Sequence, residues 1–329
     1  MRSESAPAQT RIASAASSAS SARLAARTRL VGALLVFVSG ITFSTKAILV
    51  KLAYRHGIDS VSLLTLRFGF AAPFFAYAAF GGHLRGKIPP TLTRRDGFTI
   101  LTLGVLGYYL ASLSDFIGLR YISAGLERLI LFVYPTLVVL IEAAVYKIRL
   151  ERRQKLALLV TYAGIVLAFR DELGGSLGSD VPRGAAWVFG SALTYAVYLI
   201  GAGRMVPKLG SQRFTALALL SATAAVLIHA FISRAHVLGL PPVAYVIGLV
   251  MALFATVLPA FLLARGIALI GSGPAAIISS VGPVSTILLA YLILDEALSP
   301  SAVLGTALVI IGATLVASSA KRAQSAPAG

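Results

Sequence analysis

The sequence predicts an all-α integral membrane protein with ten transmembrane helices arranged as two inverted five-helix repeats. Three observations predict it: a series of apolar runs of spanning length, a lopsided placement of basic residues between them, and an internal correspondence at a fixed offset of 148 residues. Apolar residues make up 57% of the 329 and charged residues only 12%, with a mean hydropathy of +0.87. Water-soluble domains carry about a quarter charged residues, so a soluble fold does not account for this composition.

A helix needs about 20 apolar residues to cross a bilayer. Runs of that order lie at 30–53, 60–81, 97–118, 123–146, 154–170, 184–203, 212–233, 241–264, 272–294 and 300–319, the fifth being the shortest. Residues 1–28 before them are rich in Ser and Ala, with Arg2, Arg11, Arg23 and Arg27. Glu4 and the lack of an amphipathic pattern argue against a transit peptide, so this segment reads as a disordered cytoplasmic tail, with residues 321–329 as a second tail. The first apolar run is too long for a cleaved signal and leads into further spans.

The chain holds 29 Lys and Arg. With the N-terminus inside, 20 fall in inner segments, including Arg94, Arg95, Lys147 and Arg149, and six in outer ones (Lys51, Arg55, Arg120, Arg170, Arg183 and Arg234). The remaining three, Lys46, Arg67 and Arg128, lie within spans. Positive charge concentrates on the cytoplasmic side, which places both termini there, in a bacterial inner membrane. The net charge of +17 therefore reports topology rather than a nucleic-acid partner, because the basic residues sit in short segments between apolar runs. The chain has no cysteine, and its four histidines are too scattered for a metal site, so neither disulfide, thiolate metal centre nor cofactor is expected. GGHLRGK (81–87) fits most of a phosphate-binding loop, but Ile88 follows where Ser or Thr is required, and no strand precedes it. It is read as a chance match.

Sliding the chain by 148 positions aligns residues 114–169 with 262–317 without a gap. Gly118 meets Gly266, Gly125 meets Gly273, Pro135 meets Pro283 and Gly164 meets Gly312. Such matches carry weight because Gly and Pro fix backbone geometry. The first spans also agree, GALLVFVSGITF (32–43) with GAAWVFGSALTY (184–195). The two repeats then cover 29–170 and 184–320. Five spans is an odd number, so the second repeat enters the membrane upside down, and equivalent loops fall on opposite sides. Basic Lys147-Ile148-Arg149 accordingly aligns with acidic Asp295-Glu296-Ala297. Inverted repeats are a hallmark of secondary transporters, whose halves move about a site near the midplane.

Two stretches resemble the drug/metabolite transporter superfamily, specifically its EamA type: SAGLERLILFVYPTLVVL (123–140) and SGPAAIISSVGPVSTILLAYLILDEALSPSAVLGTALVIIGATLVA (272–317). The second is similar to the family's closing pattern, with a Pro in the ninth span, an acidic residue after it and a Gly-punctuated tenth span. RFGFAAPF (67–74) resembles the family's second span, which begins with Arg. Lys147-Ile148-Arg149 departs from the family, where a Gly-Glu is often found. The resemblance covers about residues 30–320 and implies transport of small metabolites, often export, without naming the substrate.

A charge at the centre of a lone span costs about 2.5–3.5 kcal/mol, so intramembrane charges mark candidate sites. Ser39, Thr42 and Lys46 share one helical face, as do Tyr108, Ser112 and Asp115. Lys46 and Arg67 suit an anionic or zwitterionic group, or helix–helix hydrogen bonding. The candidate substrate-binding set is Lys46, Arg67, Thr42, Tyr108, Ser112, Tyr195 and Tyr198. Asp115 and Glu127 are candidate proton-coupling residues, with pairing to Arg120 or Arg128 near headgroup depth as the structural alternative. In the second half Thr194, Ser279, Ser280 and Ser285 add hydroxyls. Pro135, Pro259 and Pro283 are expected to kink their helices.

A secondary carrier of small organic metabolites, such as amino acids or amphipathic compounds, is the function these features favour. Its partners are a small-molecule substrate and the lipid bilayer, with no oligomer required, and proton coupling, exchange and simple facilitation are the open driving modes. Nucleotide-sugar or phosphate carriers of the same superfamily share the architecture. A membrane-embedded enzyme would need a reactive cluster, such as His-Glu metal ligands or a Ser-His pair, at a spacing this chain does not offer, so no enzymatic activity is expected.

Overall fold

Hydrocarbon offers the backbone no hydrogen-bond partners, so apolar runs of this length close their bonds internally as helices. A computed structural model describes residues 6–84, 91–147, 152–173 and 179–325, and among these every regular element is helical. The helices are α1 (Ala6–Arg55), α2 (Ser60–Leu84), α3 (Arg94–Gly118), α4 (Ala124–Leu131 and, after a break, Tyr134–Tyr146), α5 (Arg152–Leu173), α6 (Val181–Leu209), α7 (Ser211–Ile232), α8 (Pro242–Ile270), α9 (Ser272–Ser279 and, after a break, Val281–Leu294) and α10 (Pro300–Ser325). Eight of these are long and apolar enough to cross a membrane among the described residues. In α5 and α10 the apolar stretches are shorter, Gln154–Ala168 and Pro300–Leu315.

The amino-terminal segment differs from expectation. Helix α1 begins at Ala6, so the backbone of residues 6–28 continues the first span instead of forming an unstructured tail. Alanine has the highest helix propensity, and extending an existing helix avoids the cost of nucleation. Helix α10 likewise reaches Ser325, into the expected carboxy-terminal tail. Residues 85–87 of the phosphate-loop-like segment, Ile148 and Arg149 lie outside the described residues.

Polar side chains fix several helix starts. The Asp59 carboxylate accepts from the backbone N–H of Val61 and Ser62 at 2.9 and 3.0 Å at the head of α2. Thr93 and Asp96 form a reciprocal capping box on α3. The Ser123 hydroxyl accepts from the N–H of Leu126 at 3.0 Å on α4. Pro135 and Pro283 occupy the first turns after breaks at Phe132–Val133 and Ser280. A proline there has no intrahelical N–H bond to lose, so the break precedes the proline rather than following from it.

Packing pairs α5 with α10, α2 with α7, α1 with α9 and the second half of α8, and α6 with α4 and the second half of α3. Exchanging α1–α5 for α6–α10 maps this set of pairs onto itself. The 148-residue correspondence also extends into the backbone. π turns occur at Val105–Leu110 and Leu253–Val257, and Lys147 and Asp295 both adopt left-handed backbone, φ 54° and 59°. A Cβ on Gly118 would meet Val188 Cγ2 at 2.5 Å and the Gly184 carbonyl at 2.9 Å; one on Gly266 would meet Val36 Cγ2 at 2.5 Å and the Gly32 carbonyl at 3.0 Å. These close helix crossings are the kind that small residues permit in membranes. Phe68, Phe116, Leu63, Leu119 and Met251 form the buried centre, whereas Phe231 and Val166 are largely exposed, as a lipid-facing surface requires.

Candidate functional site

Where α1, α3, α6 and α8 meet, the bundle encloses a cavity of about 250 Å³. Its walls draw on repeat-equivalent positions. Gly107 and Ala255, Tyr108 and Thr256, Ala111 and Pro259, Ser112 and Ala260, and Asp115 and Leu263 are each 148 residues apart, and all ten line it. The aligned first-span positions Ser39 and Ser191, and Phe43 and Tyr195, line it as well. The π turns on α3 and α8 bring these residues to the cavity, in keeping with the frequent placement of such turns at functional sites. Gly107 is required there because a Cβ would collide with the Tyr198 ring.

The charges come from the first half. Lys46 lies 5% exposed, and its ammonium donates both to Asp115 Oδ2 and, at 3.2 Å, to Glu127 Oε1. Asp115 and Glu127 are 1% and 0% exposed. Among the described residues Asp115 Oδ1 and Glu127 Oε2 have no hydrogen-bond partner. The expected alternative, pairing with Arg120 or Arg128 near the headgroups, is therefore corrected: helical phase turns Glu127 inward toward α1. Arg120 instead lies over the Tyr54 ring at 5.3 Å. Arg67 Nε donates to Thr256 Oγ1 at 2.8 Å, and Nη1 reaches the Ser112 hydroxyl at 3.4 Å. Its guanidinium also lies over the Phe68 and Phe116 rings.

Of the residues singled out from sequence, Lys46, Arg67, Tyr108, Ser112, Asp115, Tyr195, Ser279 and Pro259 line the cavity. Glu127 stands behind Lys46. Thr42 is not brought to the cavity, because its hydroxyl bonds back to the carbonyls of Val38 and Ser39. Thr194 does the same with Gly190 and Ser191. Tyr198 lies beneath the wall, where its hydroxyl is 3.1 Å from that of Tyr108 and its ring stacks on Tyr195 and Phe214. Pro135, Pro283, Ser280 and Ser285 stand away from the lining. Sequence reasoning missed Thr256, Tyr134 and Ser191. Extending the 148-residue alignment upstream pairs Tyr108 with Thr256 and would have exposed it.

At one end of the bundle two further bonds tie the halves together. The Glu296 carboxylate accepts from the N–H groups of Ala124 and Gly125 at 2.9 and 3.3 Å, satisfying the head of α4. Arg55 donates to the Leu294 carbonyl at 2.7 Å.

The model of the EamA-like transporter family matches residues 30–170 and again 182–318. An uncharacterized transporter of Bacillus subtilis, YcbK, is 31% identical over 287 residues, covering 85% of this chain and 90% of the relative. An uncharacterized transporter of Synechocystis, sll1319, is 25% identical over 316 residues, covering 89% and 95%. A solved crystal structure superposes with a TM-score of 0.61 over 89% of this chain and 99% of the other; at 17% identity it supports the fold alone. With the apolar helices, the twofold family match and these relatives taken together, the chain is a multi-pass integral membrane protein belonging to the EamA-like transporter family of the drug/metabolite transporter superfamily.

Proposed function

We propose that the protein is a secondary carrier that exports small organic metabolites, amino acids or amphipathic compounds, by alternating access between two inverted five-helix repeats. The repeats are residues 29–170 and 184–320, with α5 and α10 as the fifth and tenth spans and both termini in the cytoplasm of a bacterial cell. The observation that carries this reading is the cavity built from equivalent positions of both halves. A site on the axis relating two halves is the geometry that rocking exposes to either side in turn. The exchange of packing pairs and the basic-to-acidic swap between Lys147 and Asp295 support the inversion.

In this reading Lys46, Arg67, Tyr108, Ser112 and Tyr195 form the binding wall, and Asp115 and Glu127 exchange a proton as the cavity opens. Thr42 and Tyr198 drop out of the binding set, since neither lines the cavity. Pro259, which lines the cavity beside the α8 π turn, is the one proline placed to shape it.

The test begins with a thermal-shift screen of the purified protein against a metabolite library, followed by transport of the hits in proteoliposomes. Arg67→Gln should abolish transport while leaving inserted, folded protein. Asp115→Asn should remove any dependence on a proton gradient. Unchanged transport in the first variant contradicts the binding role, and an intact proton dependence in the second eliminates Asp115 as the proton site.

A further inference from the structure

Three cations and two carboxylates meet around the cavity, and the cations differ in what holds them. Lys46 is held by Asp115 and Glu127. Arg67 is held by the Thr256 and Ser112 hydroxyls. Arg128 lines the cavity at 8% exposure, takes part in no ion pair among the described residues, and has no hydrogen-bond partner for its Nε. Its guanidinium lies over the face of Phe43, 4.9 Å from the ring centre. A buried guanidinium without a counter-ion is costly. Yet the fold makes room for it beside Gly282, where an added Cβ would lie 2.6 Å from Arg128 Nη2 and push the guanidinium aside.

We infer that Arg128 anchors an anionic group on the transported molecule, and that the substrate is a small organic anion: a carboxylate on an aromatic or apolar body. The inference rests on the carrier reading above and gives it a substrate class. Guanidinium is planar and presents paired donors that match a carboxylate, and Nε is the donor left without a partner. Phe43, Phe132, Tyr134 and Tyr195 line the cavity with Arg128 and supply an aromatic wall for the rest of the molecule. The volume of about 250 Å³ accommodates a ring and a short chain. Asp115 also faces the cavity, but the three cations Lys46, Arg67 and Arg128 outnumber the two carboxylates, and Lys46 is the cation that both carboxylates engage. With Lys46 so occupied, the incoming anion finds its counter-charge at Arg128.

The test uses the full chain in detergent and three probes of nearly equal shape: 3-phenylpropanoate, 3-phenylpropanamide and 3-phenylpropylamine. Thermal-shift titrations give an apparent Kd for each, and labelled forms of the same three compounds give uptake into proteoliposomes. The propanoate should bind at least about tenfold more tightly than the other two, the size expected of a hydrogen bond to a buried charge. Arg128→Gln should bring the propanoate to the affinity of the amide and leave the amide unchanged. Arg128→Lys, which keeps the charge and loses the planar fork, should retain the preference at reduced affinity, and Gly282→Ala should weaken propanoate by displacing the guanidinium. The inference is overturned if the amide or amine binds as well as the propanoate. It is also overturned if neither Arg128→Lys nor a folded Arg128→Gln alters propanoate affinity, or if propanoate neither binds nor enters. Uptake of the amine or amide without the propanoate overturns the anion assignment and leaves the carrier reading standing. That reading has its own test in thiol labelling of the cavity from both membrane faces.

Discussion

Replacing Lys46 with alanine should destabilise the protein by about 3–5 kcal/mol, the cost of leaving one side of a buried ion pair uncompensated. Asp115 and Glu127 are 1% and 0% exposed and share this single ammonium, so its removal leaves two carboxylates facing each other in a region of low dielectric. Charge, rather than packing, is the predicted cause, and it is separable. Adding Asp115→Asn and Glu127→Gln to Lys46→Ala removes the uncompensated charge while nearly preserving shape, and should recover most of the lost thermal stability in detergent. A triple variant as unstable as the single one would show that Lys46 acts through its hydrocarbon stem. Transport should fail in both, because the cavity wall has lost its charged set.

Adding a methyl group at Gly118 should cost about 1–3 kcal/mol, the range seen when a closely packed contact is overfilled, and the same change at Gly266 should cost a similar amount. At both sites the new Cβ meets a valine methyl and a backbone carbonyl of the neighbouring helix. The carbonyl cannot swing away as a flexible side chain can, so the helices themselves have to separate. Gly69 and Gly190 supply the controls: both are helical, and a Cβ there meets nothing within 4 Å. Alanine at those positions should be neutral or stabilising, since it favours helix over glycine. The measurement is the midpoint of thermal unfolding for the four single variants. Gly118→Ala as benign as Gly69→Ala would contradict the close crossing of α3 and α6.

The helical class and the repeat were legible because both leave marks in the order of residues. Apolar runs report the bilayer, and Gly and Pro at matched positions report backbone geometry that the π turns and the left-handed Lys147 and Asp295 also follow. The site was read by face: Tyr108, Ser112 and Asp115 do share one, and all line the cavity. Their partners were not readable. Lys46 and Glu127 are 81 residues apart, and only the packing of α4 against α1 brings them to 3.2 Å. Glu127 and Arg128 lie close to a predicted helix end, which suggested headgroup depth, yet both are buried. Thr42 looked available for a ligand because hydroxyls in helices give no sign in sequence of bonding back to the preceding turn.

Alternating access has a direct test in this chain, which contains no cysteine. Ser191→Cys and Ser279→Cys each place one thiol on the cavity wall, both from the second half. Oriented membrane vesicles are treated with a charged, membrane-impermeant thiol reagent from one face or the other. A site that opens to each side in turn should be labelled from both faces, and a bound substrate should protect it from both. Labelling from one face alone, with and without substrate, would contradict the account.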